Sequence, residues 1–146
     1  MQGELVYSYD VQITGMLDYG IALGDVLTGQ AAIPQQGLRF DVAFAGAATG
    51  RLAGQVTGTD FLYLRADGRF DLDIHATIVT ADGARIALHA GGVALGRPGE
   101  PVVELAENVT LQTAAPAYAW VLSRQIWGVG HVNLAAGTIH VDGYMQ

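Results

Sequence analysis

Two Ala-Asp-Gly tripeptides constrain the fold of this chain more than any other feature of its sequence. They occupy residues 66–68 and 81–83 and separate three runs of alternating side chains within residues 59–92. An Asp-Gly between alternating runs favours a tight β-hairpin, because the glycine supplies the positive φ that the turn needs. The stretch therefore predicts a three-stranded antiparallel meander.

A three-residue loop at each tripeptide determines which residues face each other across the meander. It pairs Tyr63 with Asp71 in the first hairpin and His75 with His89 in the second. One face of the meander, the aliphatic face, then comprises Leu62, Leu64, Phe70, Leu72, Ile74, Ala76, Ile78, Ile86 and Leu88. The other, the mixed face, comprises Phe61, Tyr63, Asp71, Asp73, His75, Thr77, Ala87 and His89. A one-residue slip would mix the two sets, so their consistency supports this register.

Two interpretations of the mixed face follow from this pattern. In the ordinary one, the aliphatic face is the packed interior and the mixed face meets solvent. In the other, the mixed face lines the interior of a barrel and forms a small-molecule site, while other segments or a second subunit cover the aliphatic face. Alternation alone does not choose between them.

The rest of the chain also alternates with a period of two, and no helical period persists for three turns. Strands are predicted at residues 4–14, 38–44, 51–57, 102–113 and 118–127, with a last hairpin turning at residues 136–137. A turn is predicted at residues 97–100. Residues 15–37 are predicted to be one long irregular loop with room for a short strand or helical turn, and it could serve as a lid or a plug. The pattern indicates an all-β fold, a single calycin-like antiparallel β-barrel of roughly 8–10 strands, because closure removes exposed sheet edges.

Composition limits the function classes. A length of 146 residues predicts one domain spanning residues 1–146, and a net charge of −7 with seven arginines and no lysine argues against nucleic-acid binding. With no basic and apolar leader and no long apolar run, we expect a cytoplasmic protein that does not enter a membrane. The lack of cysteine excludes disulfides and thiolate chemistry and leaves the redox compartment undetermined. Charged residues make up only 14% of the chain, which predicts that a homo-oligomer covers part of the surface.

A distinctive set of residues lies within the meander and in the segment that follows it. The set is Asp60-Phe61, Asp67-Gly68, Leu72-Asp73-Ile74-His75, Thr80, Asp82-Gly83-Ala84, Ile86 and Gly92, with Tyr118-Ala119-Trp120 and Gly130 further on. This pattern resembles the bacterial β-barrel family DUF3237, also called UPF0311. The chain departs from the family pattern where a tryptophan is replaced by Phe61, an arginine by His75, and a Leu-Asn pair by Val121-Leu122. The resemblance implies an oligomeric barrel whose lumen could hold a small ligand, and it implies no particular activity.

The best candidates for proton transfer are His75 and His89, with Asp73, Asp71 and Tyr63 on the same face. Histidine titrates near neutral pH, and a neighbouring carboxylate can orient it and raise its pKa. The alternative is that two surface imidazoles happen to face each other.

Further residues are candidates for ligand contact. These are Phe61, Ala87, Tyr118, Trp120, His131 and Asp142, the last two as a cross-strand pair in the final hairpin, and packing roles are the alternative for each. No metal is expected, because no H-x-H, H-x-x-x-H or cupin-like spacing is present. No cofactor is expected, because no dinucleotide-binding glycine motif occurs.

Three functions remain open at this point. The first is a cofactor-independent isomerase, cyclase or lyase that acts on a small apolar or aromatic metabolite by histidine acid–base chemistry. The second is a non-catalytic ligand-binding or carrier barrel. The third is a structural oligomer without a pocket.

Overall fold

Each strand of the protein pairs with the next one along the chain, and the last strand pairs with the first. The computed structural model describes residues 3–96 and 100–146, and its eight antiparallel strands close into one barrel. The strands are β1 Glu4–Asp18, β2 Leu38–Gly50, β3 Gly54–Leu64, β4 Phe70–Thr80, β5 Arg85–Gly96, β6 Val102–Gln112, β7 Ile126–Asn133 and β8 Thr138–Met145. Two short helices join them, α1 Leu23–Leu27 and a 3₁₀ helix Pro116–Ser123. Among the described residues, no helix is both long and apolar enough to cross a membrane.

The predicted meander is present as β3, β4 and β5. Tyr63 pairs with Asp71 and His75 with His89, as the three-residue loops require. The two loop glycines, Gly68 and Gly83, have φ values of 92° and 87°. Local turn chemistry and alternation were therefore sufficient to establish this register.

The aliphatic face of the meander points into the barrel. Ile78 and Ile86 have no exposed surface, and most of their neighbours on this face are below a tenth exposed. The mixed face points outward, where Asp73, His75 and His89 are all exposed. The interpretation in which the mixed face lines the lumen is therefore wrong. The inward aliphatic side chains of the meander belong to the buried core, as expected of a small barrel whose interior is largely occupied by side chains.

The two ends of the barrel differ. At one end, α1 lies between β1 and β2 and inserts Leu23, which is 4% exposed, over the open strand ends. At the other end, Leu52 from the β2–β3 turn and Val121 from the 3₁₀ helix are at most 1% exposed. Packed aliphatic side chains thus close the second end. A cavity inside the barrel, described below, lies nearer the end that carries α1.

Two sequence predictions are corrected here, and a third is made specific. The long loop predicted at residues 15–37 contains a strand end and a helical turn, because β1 continues to Asp18 and α1 follows. Residues 116–123 form a 3₁₀ helix instead of part of an extended strand, since Pro116 occupies its first turn and the alternation there is not clean. Strict alternation along β1 predicts Leu5 on the same face as Tyr7 and Tyr9. Leu5 instead points outward and is 50% exposed, because a β-bulge between Leu5 and Tyr7 shifts the face of the strand. The predicted turn at residues 97–100 falls largely outside the described residues.

The final hairpin has a different register from the predicted one. Its loop is four residues long, so His131 pairs with His140, and Val129 pairs with Asp142. The side-chain oxygen of Asn133 accepts hydrogen bonds from the backbone N–H groups of Ala135 and Ala136, at 3.1 and 3.0 Å. Gly137 closes the loop with a φ of 70°. Side-chain capping by asparagine selects the longer loop over a two-residue turn.

Candidate functional site

The two imidazoles expected to transfer protons meet on the outer wall of the barrel. The His75 and His89 rings lie with their centroids 4.7 Å apart. Their Nε2 atoms lie 3.0 and 3.1 Å from the same oxygen of Asp73, Oδ1. The edge of Phe61 packs on His75 with a centroid distance of 5.6 Å, and Ala87 lies in the same shallow outer groove. Five of the candidate residues therefore lie together, and they do so on the solvent side of the sheet: Phe61, Asp73, His75, Ala87 and His89.

The other two candidates on the mixed face lie nearer the α1 end and make structural contacts. The Tyr63 hydroxyl donates a hydrogen bond to the carbonyl oxygen of Gln36, which ties the β1–β2 connection to β3. Asp71 accepts a hydrogen bond of 2.9 Å from the Arg69 guanidinium. Neither side chain lines the outer groove that contains the histidine pair.

Tyr118 and Trp120 lie at the opposite end of the barrel on the 3₁₀ helix. The Tyr118 hydroxyl donates to Asp82 at 3.1 Å, and the Arg51 guanidinium stacks 3.8 Å from the centroid of a Trp120 ring. These contacts anchor the closed end. Neither aromatic side chain lines the outer groove that contains the histidine pair.

His131 and Asp142 belong to a second outward cluster, whose centre is His140. The His131 and His140 rings lie 5.8 Å apart. His140 Nδ1 lies 2.8 Å from Asp10 and its Nε2 lies 3.0 Å from Asp142. The hydrogen bond to Asp10 is the main cause that raises the pKa of His140 above its usual value. The predicted direct His131–Asp142 pair does not form, because the register is shifted by two residues.

The barrel interior contains a cavity that the sequence analysis did not identify. Its volume is about 60 Å³ and its walls are almost wholly apolar, with Leu23 and Met16 toward the α1 end. Three side chains with polar groups also line it, namely Asp60, Glu107 and Tyr9. Acids in an otherwise apolar cavity are the arrangement expected of a small-molecule site.

Glu107 is the most unusual of these groups. It is 2% exposed, and neither of its carboxylate oxygens has a hydrogen-bond partner among the described residues. Burial, and secondarily the charge of Asp60, raises the pKa of Glu107 to about 8. At neutral pH the side chain is therefore mainly a neutral carboxylic acid, which can donate a proton.

A row of glycines makes room for this side chain. On the two neighbouring strands, Glu107 pairs with Gly92 of β5 and with Gly128 of β7. A Cβ atom on Gly128 would lie 2.8 Å from Glu107 Oε1. The row continues to Gly143 and then Tyr7, whose ring would lie 2.3 Å from a Cβ on Gly143. Both large side chains thus lie over neighbouring glycines inside the lumen.

Asp60 supplies the second acid of the cavity. Its Oδ1 accepts a hydrogen bond of 3.0 Å from the backbone N–H of Asp73, at the point where the regular β3–β4 pairing is interrupted after Asp60. Burial is the main cause that raises the pKa of Asp60 to about 6, despite this hydrogen bond. At neutral pH Asp60 is mainly ionised, so it has the opposite protonation state from Glu107.

Two tyrosines complete the polar part of the interior. Tyr7 and Tyr9 stack with their centroids 5.8 Å apart, and both are almost fully buried. The Tyr7 hydroxyl has no hydrogen-bond partner among the described residues. Burial, followed by the charge of Glu107, raises the pKa of both phenols, so they remain neutral hydrogen-bond donors.

A sequence signal for this interior site existed. The inward residues of β6 are Val103, Leu105, Glu107, Val109 and Leu111, so a single acid interrupts a run of buried aliphatic side chains. Buried ionisable groups are costly and are concentrated at functional sites. The alternation of β6 predicts a strand, and the acid within its apolar face is the feature that marks the interior.

Together, the closed barrel and its interior acids define a small antiparallel barrel with an acid-bearing, apolar lumen. The chain belongs to the family described as "Protein of unknown function (DUF3237)", whose model matches residues 4–145. The family resemblance inferred from the meander is therefore confirmed over nearly the whole chain.

Solved structures with the same fold come from several organisms. A protein of unknown function from Clostridium acetobutylicum superposes with a TM-score of 0.80 at 18% identity, over 99% of each chain. A beta-barrel like protein from Acinetobacter baumannii gives a TM-score of 0.78 at 19% identity, over 99% of this chain and 94% of that one. An enzyme from Penicillium herquei gives a TM-score of 0.67 at 20% identity, over 99% and 94%. No functionally curated protein matches the chain.

Proposed function

We propose that the barrel is a cofactor-independent acid–base enzyme of the isomerase, cyclase or lyase type, acting on a small apolar or aromatic molecule held in its lumen. The observation that carries this proposal is Glu107, an acid without a hydrogen-bond partner among the described residues, buried in an apolar cavity beside Asp60. A structural barrel would be more stable with an aliphatic residue there. The naming of the similar Penicillium herquei protein as an enzyme is consistent with this, although at 20% identity it supports the fold alone.

The two lumen acids are suited to complementary roles. Asp60, with a pKa of about 6, is the general base, and Glu107, with a pKa of about 8, is the general acid. Two titratable groups whose surroundings separate their pKa values can supply a base and an acid at the same pH. We expect kcat/KM to follow a bell-shaped curve that is highest near pH 7 and falls as either group changes protonation state.

The apolar walls define the class of ligand. A cavity of about 60 Å³ holds only a few non-hydrogen atoms, whereas an apolar cavity that binds benzene measures about 150 Å³. A ring-sized substrate therefore requires Met16 and Leu23 to move aside at the α1 end. Tyr9 lines the cavity as a neutral phenol, and we expect it to donate a hydrogen bond to a carbonyl or hydroxyl oxygen on such a ring.

Solvent exchange into simple carbon acids tests the acid–base chemistry without knowledge of the natural substrate. The tag-free protein is incubated in D₂O with cyclopentanone, cyclohexanone or 2-tetralone, and α-proton loss is followed by NMR. We expect the wild type to accelerate exchange of at least one ketone. Asp60→Asn and Glu107→Gln should each reduce that acceleration about 100-fold or more.

The same assay separates the lumen from the outer histidine groove. His75→Gln/His89→Gln removes the second candidate acid–base pair, which is favoured by the contact of both imidazoles with Asp73, and we expect it to leave exchange unchanged. Exchange that depends on the histidines and tolerates Glu107→Gln would reject the lumen assignment. If phenol shifts the methyl resonances of the cavity but no ketone exchanges, the protein is a binding or carrier barrel.

A further inference from the structure

The outer wall carries a second arrangement, and it is independent of the lumen chemistry. Asp73 and His75 come from β4 and His89 from β5, where the two histidines pair directly across the strands. Their ligand-type atoms, Asp73 Oδ1 and the two Nε2 atoms, all lie within 4.8 Å of one another. We propose that these three side chains form a binding site for a divalent transition-metal cation, with Zn²⁺ as the fitting ion.

The spacing of the three atoms suits a metal. Ligand atoms bound at about 2.0–2.2 Å are about 2.8–3.1 Å apart at adjacent octahedral positions and about 3.3–3.6 Å apart in tetrahedral geometry. The two nitrogen–oxygen distances, 3.0 and 3.1 Å, lie in the octahedral range and are about 0.3 Å short of the tetrahedral one. The two imidazole nitrogens lie within 4.8 Å of each other, and both side chains are exposed enough to rotate toward a shared ion.

The chemistry of the donor set selects the ion. Two imidazoles and one carboxylate suit Zn²⁺ and its neighbours in the first transition row, whereas Ca²⁺ and Mg²⁺ require more oxygen ligands. Three protein ligands leave at least one coordination position open, as in zinc sites that retain a bound water. That position would face the outer groove that Phe61 and Ala87 line.

The strand geometry supports the site. Directly opposed residues in an antiparallel pair bring their side chains close together on one face, and Asp73 lies two residues before His75 on that same face. The sheet therefore holds three ligands in place without any local H-x-H motif. This explains why spacing along the sequence did not predict a metal.

The second histidine cluster provides a matched control. His131 and His140 are also cross-strand partners on the outer wall, but both nitrogens of His140 already contact carboxylates, those of Asp10 and Asp142. Their rings are 5.8 Å apart, compared with 4.7 Å for the first pair. Replacing this pair removes the same number of imidazoles from the same kind of surface.

Titration of the tag-free, chelator-treated protein with Zn²⁺ by calorimetry, and with Co²⁺ by visible absorption, tests the proposal. We expect one equivalent to bind with micromolar affinity, and His75→Gln, His89→Gln and Asp73→Asn each to weaken it at least tenfold. His131→Gln/His140→Gln should leave the affinity unchanged. In NMR spectra, the imidazole signals of His75 and His89 should shift with Zn²⁺.

The opposite results would overturn the proposal. These are the lack of wild-type binding below millimolar Zn²⁺, retention of affinity in the His75 and His89 variants, or loss of affinity in the control variant. The outcome does not depend on the lumen, because Glu107→Gln should bind Zn²⁺ as the wild type does. Circular dichroism of each variant checks that the barrel is folded.

Discussion

Replacing Glu107 with glutamine should stabilise the protein, and by an amount that increases with pH. The folded state holds this carboxyl protonated up to about pH 8, whereas in the unfolded chain it ionises near its ordinary value of 4.5. Between these two values the folded state binds more protons, so the free energy of unfolding of the wild type decreases as the pH rises. Glutamine has nearly the shape of the neutral acid and cannot ionise, so it removes this loss.

The size of the effect follows from the two pKa values. One unit of difference corresponds to about 1.4 kcal/mol, so the stabilisation should be about 1 kcal/mol at pH 5, about 3 kcal/mol at pH 7 and about 5 kcal/mol at pH 9. Because Glu107 is 2% exposed, solvent screening does not reduce these figures appreciably. Above pH 8 the gain should approach a plateau, since the folded state then also loses the proton.

Urea unfolding of the wild type and Glu107→Gln at pH 5, 7 and 9, at one protein concentration, measures this difference. Glu4→Gln is the matched control, because the same chemical change there affects only an exposed ion pair with Arg51, worth well under 1 kcal/mol. A Glu107→Gln difference that is the same at all three pH values would refute the reasoning, since the acid would then not be held protonated by burial. A gain in stability together with the loss of exchange activity would identify Glu107 as a residue that costs stability and serves function.

Three further predictions concern packing, titration and assembly. Gly143→Ala should lower the free energy of unfolding by on the order of 1–3 kcal/mol, because its Cβ would lie 2.3 Å from the buried Tyr7 ring. Gly24→Ala, which has no atom within 4 Å of its Cβ, should be neutral or slightly stabilising. Equal effects of the two variants in urea unfolding would contradict the packing argument. Asp10→Asn should lower the pKa of His140 in an NMR titration, because the hydrogen bond to Asp10 is the main cause of its raised value. The stability that the His140–Asp10 pair contributes is present at pH values below about 6.5 and is lost as the pH rises through the raised pKa of His140. A pKa of His140 that does not change in Asp10→Asn would exclude the pairing. The low charged fraction still predicts self-association, and sedimentation at micromolar concentration that shows only a 15.3 kDa species would exclude it.

The interior acid also explains features of the barrel that packing alone does not require. Gly92 and Gly128 flank Glu107, and a side chain at either position would collide with it or with its backbone. The barrel thus gives up side chains on two strands around one buried carboxyl. Departures from good packing of this kind are expected where a site is functional.

The sequence by itself determined the local structure of the meander. The two Asp-Gly turns and the alternation around them were enough to place His75 opposite His89 and to separate the aliphatic face from the mixed face, because both features depend on residues close together in the chain. The same alternation identified β1, β2 and β6. It was insufficient where a side chain changed a turn, as Asn133 does in the last hairpin.

Only the tertiary structure decided which face is inside and which residues form the lumen site. A period of two defines two faces but is symmetric between them, so the direction of curvature appears only when β8 pairs with β1 and the barrel closes. Asp60 and Glu107 lie on strands that are not neighbours, and each takes its raised pKa from burial that no local pattern expresses. The interior site therefore exists only once all eight strands have enclosed it.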